Sequence, residues 1–396
     1  MTEQQVKRNI KLYYLSCVIF GTYFQQAIWF VYQSQVMHMN FEQIALYASI
    51  SVIVELIMQV PTGAFADVFG RKIALSIGNL LYALPMFLIA IWPIPEIMLL
   101  YSIVWGTARA FSSGPDQAIM FDSLKAVNQE YKFPKINSYA VLSFQISAAI
   151  SILLGSYLYQ VSTSLPYFVS GFASLIGVFT SFLFIEQRFQ TQQSGFKIKP
   201  FLRTNWIGIK EIFKNSYITK LSLLFIFING ISSPSQKFFI QPYMVEIGMN
   251  DIERGWIATI VKIVITLIGV WFVSKKKLFE HKGIIFLLPI VMIISLIPAK
   301  FTVYPFTYLI IFGIAFISGN TGMFMTPMLI KHIDSKVRTT ALSAIRMFGV
   351  LIYAILTYIS GPIIEGSSTG NFFYLEGIFS LLVILPLAVL VYNFKE

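Results

Sequence analysis

Twelve apolar stretches, each long enough to cross a bilayer as a helix, dominate this sequence. A membrane-spanning helix needs about 20 consecutive, mostly apolar residues. The stretches, numbered here as spans one to twelve, lie at 11–34, 42–64, 73–92, 96–122, 137–160, 165–185, 218–246, 254–273, 283–299, 304–328, 338–361 and 372–393. Only 12% of the residues are charged, against about 25% in soluble domains. The sequence therefore predicts an all-α membrane protein with twelve transmembrane helices. It excludes disordered, disulfide-rich secreted and soluble enzyme classes.

The positions of Lys and Arg predict the orientation of the chain, because cytoplasmic loops carry an excess of them. With the N-terminus placed in the cytoplasm, only Arg254 and Lys300 of the 29 basic residues lie on the outer side. The basic residues within the spans are Arg109, Lys237, Lys262 and Arg346. Both termini are thus predicted to be cytoplasmic in a multi-pass protein of the cell membrane. The net charge of +11 could suggest nucleic acid, but its concentration on the inner side indicates a topology signal and contact with anionic inner-leaflet lipid.

One long polar connection, 187–217, divides the chain into a first half, 1–186, and a second half, 218–396. Between Trp206 and Lys214, apolar and charged residues alternate at helical spacing, which predicts a short amphipathic helix on the inner membrane surface. The alternative is a start of span seven that extends out of the membrane. Two six-span halves joined by such a loop are the layout of many secondary transporters. This layout needs no partner chain to form its pathway, so a monomer is expected.

The most specific motif lies between spans two and three, where the chain reads GAFADVFGRK from Gly63 to Lys72. This matches G-x-x-x-D-x-x-G-R-K, and it resembles the loop signature of the major facilitator superfamily (MFS). The chain resembles that superfamily along its full length in span number, central loop and orientation. The resemblance implies an alternating-access transporter whose two halves rock about a central site, with protons as the expected coupling ion.

The same resemblance implies a latch that closes the cytoplasmic side. Its residues are Gly63, Asp67, Gly70, Arg71, Lys72 and Asp122. In relatives the equivalent aspartate docks on the start of span eleven, here 338–340, and the arginine meets an acid at the inner end of span four, here Asp122. Independently of the family, Gly63 allows two helices to approach closely and Gly70 allows a tight turn. The alternative is that the motif serves only as an orientation signal.

Charged side chains inside a membrane are costly and usually functional. Spans two and four each carry polar residues along one helix face, with Glu55 and Arg109 near mid-depth. The stretch from Gly106 to Gly114 loosely resembles the superfamily's span-four motif, whose arginine is linked to proton movement in proton-coupled relatives. A carboxyl group that experiences both burial and a nearby cation can bind and release a proton as access alternates. Glu55, Arg109 and Asp116 are therefore the proton-coupling candidates. The alternative is a fixed Glu55–Arg109 ion pair that holds two helices together.

Candidate cavity residues come from both halves, since spans one, four, seven and ten line the cavity in this superfamily. They are Gln25, Gln26, Trp29, Ser51, Gln59, Trp105, Asn229, Gln236, Lys262 and Arg346. The deep cations Arg109, Lys262 and Arg346 outnumber the deep acids Glu55 and Asp116. The predicted cavity therefore leans positive, which suits an anionic, zwitterionic or neutral amphiphilic substrate better than a lone lipophilic cation.

The loop motif and the Arg109 region resemble drug-exporter-like relatives, so efflux of a small amphiphilic molecule in exchange for protons is the leading prediction. The alternative is a proton-coupled importer of an organic anion or metabolite. It is favoured by the excess of basic residues in the predicted cavity and by a span five that lacks the Gly-Pro pair of the exporter signature. A sensor or scaffold with this fold is a third class. The sequence contains one cysteine and three histidines, no metal-ligand cluster, no Walker motif and no catalytic constellation. It therefore predicts no enzyme, no cofactor and no metal.

Overall fold

The computed structural model describes residues 1–186, 206, 208–274, 285–301, 306–334 and 337–394. All regular structure in these ranges is helical. Eight of the described helices are long and apolar enough to cross a membrane. The chain is thus an all-helical, multi-pass membrane protein, and the exact number of twelve crossings stays a prediction.

Apart from span one, the helices of the first half begin and end close to the predicted spans. They are Glu3–Phe20 in span one, Phe41–Phe69 in span two, Arg71–Ile91 in span three, Met98–Ser112 and Pro115–Lys125 in span four, Phe133–Val161 in span five, and Leu165–Phe182 in span six. Span one was predicted as 11–34, but its long helix begins eight residues earlier, where Thr2 caps it with a capping box.

Span one is also interrupted after Phe20, and its chain continues as short 3-10, α and π turns up to Val36. The interruption lies where span one crosses span five. A Cβ atom on Gly155 of span five would overlap the carbonyl group of Phe24. The hydroxyl of Thr22 donates to the carbonyl oxygen of Ile19 at 2.5 Å, a local bond that competes with helix continuation.

The helices of the second half follow the same pattern, with two π-helical interruptions. They are Ser216–Pro234, Ser235–Phe239 (π) and Ile240–Glu246 in span seven, Asp251–Ser274 in span eight, Leu287–Leu296 and Ile297–Lys300 (3-10) in span nine, Thr307–His332 in span ten, Arg338–Glu365 in span eleven, and Thr369–Phe379, Ser380–Ile384 (π) and Leu385–Tyr392 in span twelve. Both π segments lie in the second of the two compact units into which the chain divides.

Contacts between Cα atoms divide the chain into two compact units. The first comprises Met1–Met39, Ile50–Phe196 and Asn250–Ile260, and the second comprises Asn40–Ser49, Lys197–Met249 and Val261–Glu396. The start of span two thus belongs to the second unit and the start of span eight to the first.

Specific bonds account for both assignments. In the second unit the N–H of Phe41 donates to the carboxylate of Glu365 at 2.6 Å. In the first unit the hydroxyl of Thr259 donates to the carbonyl oxygen of Ala149 at 3.0 Å. The predicted division at the central loop placed the start of span two in the first half and the start of span eight in the second half.

The predicted central loop, 187–217, is described only in part, since 187–205 and 207 lie outside the described residues. A helical turn covers 208–212. Gly208 lies against the backbone of Thr340, because a Cβ atom on Gly208 would be 2.7 Å from the Thr340 carbonyl oxygen, and Ile212 is buried. This turn therefore packs on the start of span eleven, while Trp206 and Phe213 remain exposed. Its location on the membrane surface stays a prediction.

A buried asparagine joins three spans of the first unit. The side-chain amide of Asn9 in span one donates to the hydroxyl of Ser123 in span four at 2.8 Å and to the carbonyl oxygen of Ile185 after span six at 2.8 Å. The N–H of Ile185 donates back to the Asn9 side chain at 3.0 Å. Asn9 is fully buried, so these bonds have no competition from water and hold the ends of the three helices together.

We expect Asn9→Ala to lower the free energy of unfolding by about 1–3 kcal/mol for each backbone group of Ile185 that it leaves unsatisfied. The measurement is the thermal unfolding midpoint of the detergent-purified protein. Asn393→Ala, which changes an exposed asparagine, is the matched control. Equal midpoints for the two variants would contradict the structural role given to Asn9.

Candidate functional site

Span four is broken in its middle, whereas the sequence analysis predicted one continuous helix over 96–122. The helix Met98–Ser112 is followed by two residues that are not helical, Ser113 and Gly114. A second helix, Pro115–Lys125, begins after them. Gly114 has a φ of 99° in the left-handed region, which favours glycine. Pro115 occupies the first helical turn, where its missing N–H costs nothing. The Gly-Pro dipeptide is a strong break signal, and it was the clue available in the sequence.

A cavity of about 360 Å³ opens at this break within the first unit. Its walls come from spans one to five, and they include Cys17, Tyr23, Glu55, Arg109 and Asp116. All three proton-coupling candidates of the sequence analysis therefore line the same cavity. The broken helix contributes two of them, one from each side of the break.

Glu55 and Arg109 form an ion pair in the cavity wall. Nε of Arg109 donates to Oε2 of Glu55 at 2.6 Å, and the side chains of Arg109 and Glu55 are 44% and 19% exposed. Gly106 brings the two helices together one turn earlier, because a Cβ there would overlap the backbone of Ser51 and lie 3.0 Å from the backbone nitrogen of Glu55. Close backbone approach at a small residue thus positions the pair.

Aromatic rings stand beside this ion pair. Tyr82 of span three packs edge-on against Trp105 with ring centroids 4.7 Å apart, and Tyr23 lies 6.1 Å from Tyr82 and 6.3 Å from Trp105. Tyr23 and Tyr82 line the cavity directly. Sequence reasoning missed both tyrosines, because neither lies on a recognisable polar stripe. Trp105, a predicted cavity residue, packs against the rings of both tyrosines and stacks on Tyr101.

Asp116 lies at the start of the second helix of span four. It is 7% exposed, and its Oδ1 accepts the N–H of Gln117 at 2.8 Å. The N-terminal end of a helix favours negative charge, which explains why an acid is tolerated there. The cavity of the first unit therefore contains two acids and one cation, Arg109. The cations Lys262 and Arg346, which made the predicted cavity lean positive, belong to the second unit.

The remaining cavity candidates of the first unit have diverse surroundings. Gln25 is 5% exposed, and its Oε1 accepts the hydroxyl of Ser170 in span six at 2.6 Å, so its amide serves helix packing. Trp29 packs edge-on against Phe30. Ser51 is half-buried, and Gln26 and Gln59 are exposed within their unit. Their contact with substrate stays a prediction.

In the second unit, Asn229 lies against Gly349 of span eleven, and Gln236 is half-buried in the π segment of span seven. Lys262 is half-buried and Arg346 is exposed within the unit. Substrate contact of these four residues also stays a prediction.

The loop motif forms a one-residue turn. The helix of span two ends at Phe69 and that of span three begins at Arg71, with only Gly70 between them, at a φ of 107°. The N–H of Arg71 donates to Oε1 of Glu186 at 2.7 Å, so a carboxylate from the end of span six caps span three. Arg71 also forms an ion pair with Asp122 of span four. The sequence analysis missed Glu186, since nothing in the motif points to a residue more than 100 positions away.

Three residues of the predicted latch remain, namely Gly63, Asp67 and Lys72. A Cβ on Gly63 would meet no atom within 4 Å in the described part of the chain, so the close helix approach expected at Gly63 is not observed. Asp67 is exposed and Lys72 is half-buried. The docking of Asp67 on span eleven stays a prediction.

Sequence comparison assigns the family. The sequence model of the Major Facilitator Superfamily matches residues 14–355. The chain belongs to the major facilitator superfamily. This membership places it in a family of membrane transport proteins.

Individual relatives are distant. Multidrug resistance protein 1 of Bacillus subtilis (strain 168) is 22% identical over 230 residues, which are 58% of this chain and 55% of that protein. The chain thus spans about half the length of this curated relative.

Two solved structures share the fold. The nucleoside transporter NupG superposes with a TM-score of 0.77 and 16% identity, covering 99% of this chain and 100% of that chain. A bacterial homolog of the human lysosomal transporter Spinster gives a TM-score of 0.70 and 12% identity over 98% and 96% of the two chains. At these identities the likeness shows the fold alone.

We expect Gly70→Ala to destabilise the protein by about 1–2 kcal/mol, because a Cβ is strained at positive φ and would lie 2.9 Å from Oε2 of Glu186. Gly63→Ala, in the same motif, is the matched control, since its Cβ would meet no described atom within 4 Å. Thermal unfolding of the two purified variants tests this. A Gly63→Ala protein as destabilised as Gly70→Ala would show that the turn at Gly70 is not the sensitive point.

Proposed function

We propose that the protein is a secondary active transporter that exports a small amphiphilic molecule across the cytoplasmic membrane in exchange for protons. The observation that carries the proposal is the Glu55–Arg109 ion pair in the wall of an aromatic-lined cavity. Ionisable groups inside a membrane are costly, so an ion pair at the predicted mid-depth of two spans indicates a functional site. In the proposed cycle, two halves rock about a central site.

Glu55 is the proton carrier in this proposal. Its carboxylate holds Arg109 at 2.6 Å, and protonation of Glu55 removes the charge that makes this contact favourable. Arg109 is then released to interact with Asp116, which lines the same cavity, or with substrate. Deprotonation restores the pair and completes the exchange. A rigid, purely structural pair would instead keep Glu55 ionised throughout the cycle.

The cavity chemistry favours an amphiphile with a neutral or cationic end. Tyr23, Tyr82 and Phe144 offer aromatic surface, and rings of this type bind cations and flat apolar groups. The acids Glu55 and Asp116 outnumber Arg109 there, which disfavours an anion in this unit. Lys262 and Arg346 of the second unit support the second candidate, proton-coupled import of an organic anion or metabolite.

The remaining parts of the proposal concern topology and gating. We place twelve crossings in the cytoplasmic membrane with both termini inside, on the basis of the Lys and Arg distribution, and expect a monomer. The Arg71–Asp122 pair and the Glu186 cap hold the start of span three. In this proposal, Asp67 on the same turn docks on span eleven when the cytoplasmic side closes.

We expect Glu55→Gln to abolish substrate-triggered collapse of an imposed pH gradient while leaving substrate exchange without net proton movement. The measurement uses proteoliposomes or everted vesicles, a pH-sensitive dye, and a panel of amphiphilic cations, neutral amphiphiles and organic anions. A loss of about tenfold or more in coupled rate, equivalent to about 1.4 kcal/mol in activation free energy, is expected.

Glu96→Gln is the control, because Glu96 is an exposed acid at the very start of span four, far in sequence from the break. Equal loss of coupled transport and exchange in Glu55→Gln would indicate a structural ion pair. A pH response to organic anions alone, in the direction of uptake, would favour the importer.

A further inference from the structure

A second buried carboxyl group lies in the second unit, on span twelve. Glu376 is 5% exposed and lies one turn before the π segment Ser380–Ile384. The sequence-based count of deep acids stopped at Glu55 and Asp116. Glu376 was not among them, because a position near the predicted start of span twelve gave no indication of burial within the protein.

Glu376 is enclosed by helices of spans seven, nine and twelve. The neighbouring Gly377 abuts Ile297 of span nine, where a Cβ would lie 2.7 Å from the side chain. On the side of span seven, the ring of Phe239 packs 4.8 Å from that of Phe372, and both rings are buried. The carboxyl group is thus placed in an apolar, closely packed interior.

The hydrogen bonds around Glu376 are consistent when the carboxyl group carries a proton. Oγ of Ser235 lies 2.6 Å from the carbonyl oxygen of Ile231 and 2.9 Å from Oε2 of Glu376. A serine hydroxyl has one hydrogen to donate, and the carbonyl oxygen can only accept. With that hydrogen on the shorter contact, a carboxylate would turn lone pairs of Oε2 toward lone pairs of Oγ, whereas a proton on Glu376 makes this contact a hydrogen bond. The geometry therefore points to a neutral carboxylic acid that donates to Ser235.

The second oxygen of the carboxyl group supports the same protonation state. Oε1 of Glu376 is buried without a hydrogen-bond partner among the described residues. A buried carboxylate with an unpaired oxygen costs far more than a neutral acid with one unpaired oxygen. A proton on Glu376 thus removes the larger part of this penalty.

The surrounding charges do not compensate a carboxylate either. Spans seven, nine and eleven and the chain next to them carry the charged residues Lys220, Lys237, Glu246, Lys300, Arg338, Arg346 and Glu365. No ion pair joins any of these to Glu376 in the part of the chain that the structure describes. Glu246 accepts the N–H of Thr369 at 2.6 Å, and Nζ of Lys300 lies 5.3 Å from the ring of Tyr374.

A polar face of span seven leads away from this acid. Asn229, Ser232 and Ser235 recur every three residues and so share one side of the helix. Ser232 is 2% exposed, and its hydroxyl has no hydrogen-bond partner within the described ranges. From Ser235 the helix continues as a π segment, a distortion that occurs often at functional sites. These groups provide successive hydrogen-bonding positions toward the predicted cavity residue Asn229.

We propose that Glu376 is a second proton-binding site of the transporter, loaded in this structure, which exchanges its proton with water along the polar face of span seven. In the exchange, the carboxyl O–H bond breaks, the proton passes to water, and the carboxylate keeps the electron pair. This inference rests on the proton-coupled transport proposed above, and it adds a coupling site in the second half of the chain.

The protonation state is tested by infrared difference spectroscopy on the full-length protein in lipid nanodiscs at neutral pH. We expect a protonated-carboxyl C=O band in the wild type and in the control Glu96→Gln, and its loss in Glu376→Gln. Ser235→Ala should shift this band, because it removes the acceptor of the carboxyl O–H. A band that is unchanged in Glu376→Gln would overturn the proposal.

Exchange of the proton is tested with Cys17, the one cysteine of the chain, which lines the cavity of the first unit. The rate of maleimide labelling is measured over a pH series and divided by the rate of Glu96→Gln at each pH. If Glu376 titrates during opening, Glu376→Gln shifts the profile by about one pH unit or more, or flattens it. An unchanged profile would identify a permanently neutral, structural acid and overturn the proposal.

Two further comparisons separate this inference from the proposed function and from misfolding. Ser235→Ala keeps the carboxyl group, so a shifted labelling profile in that variant supports the site even if Glu376→Gln fails to fold. Glu55→Gln should retain the Glu376 infrared band. Retention of that band together with unimpaired coupled transport in Glu55→Gln would refute Glu55 as carrier and leave Glu376 as the supported proton site.

Discussion

Every polar group inside a bilayer must find its partner within the protein, because lipid offers none. In the described helices, a few long-range contacts provide such partners. Asn9 bonds to Ser123 and to both backbone groups of Ile185. Arg109 meets Glu55 across two spans. These contacts connect positions far apart in the chain and determine how its apolar helices are arranged.

The same requirement explains where the helices break. Span four opens at Ser113 and Gly114, and both residues line the cavity of the first unit. Non-helical backbone at membrane depth is tolerated where it lines a cavity. The break gives Asp116 a helix N-terminus and places Arg109 on the preceding turn. Irregular backbone and buried charge therefore occur together, as expected for a site built for transport.

The two units stabilise their buried acids by different contacts. In the first unit, Glu55 is paired with a cation, and Asp116 accepts a backbone N–H. In the second unit, the hydrogen-bond partner of the Glu376 carboxyl group within the described ranges is the hydroxyl of Ser235. An acid beside a cation is stable as a carboxylate, whereas an acid beside a hydroxyl in an apolar interior is stable when neutral. In the proposed mechanism, these different surroundings allow Glu55 and Glu376 to load and release protons at different stages of one cycle.

The sequence by itself determined the fold class, the family and the approximate helix positions. Bilayer thickness requires long apolar segments, and the loop motif from Gly63 to Lys72 is specific for the superfamily. It also singled out Glu55, Arg109 and Asp116, since charge within apolar stretches is conspicuous. Tertiary structure alone decided which groups meet: that Glu186 caps span three, that Gln25 bonds to Ser170 in span six, and that Gly63 has no close neighbour among the described residues. It also revealed the burial of Glu376. Helix periodicity indicates which residues share a face, but helix rotation and packing decide what that face touches.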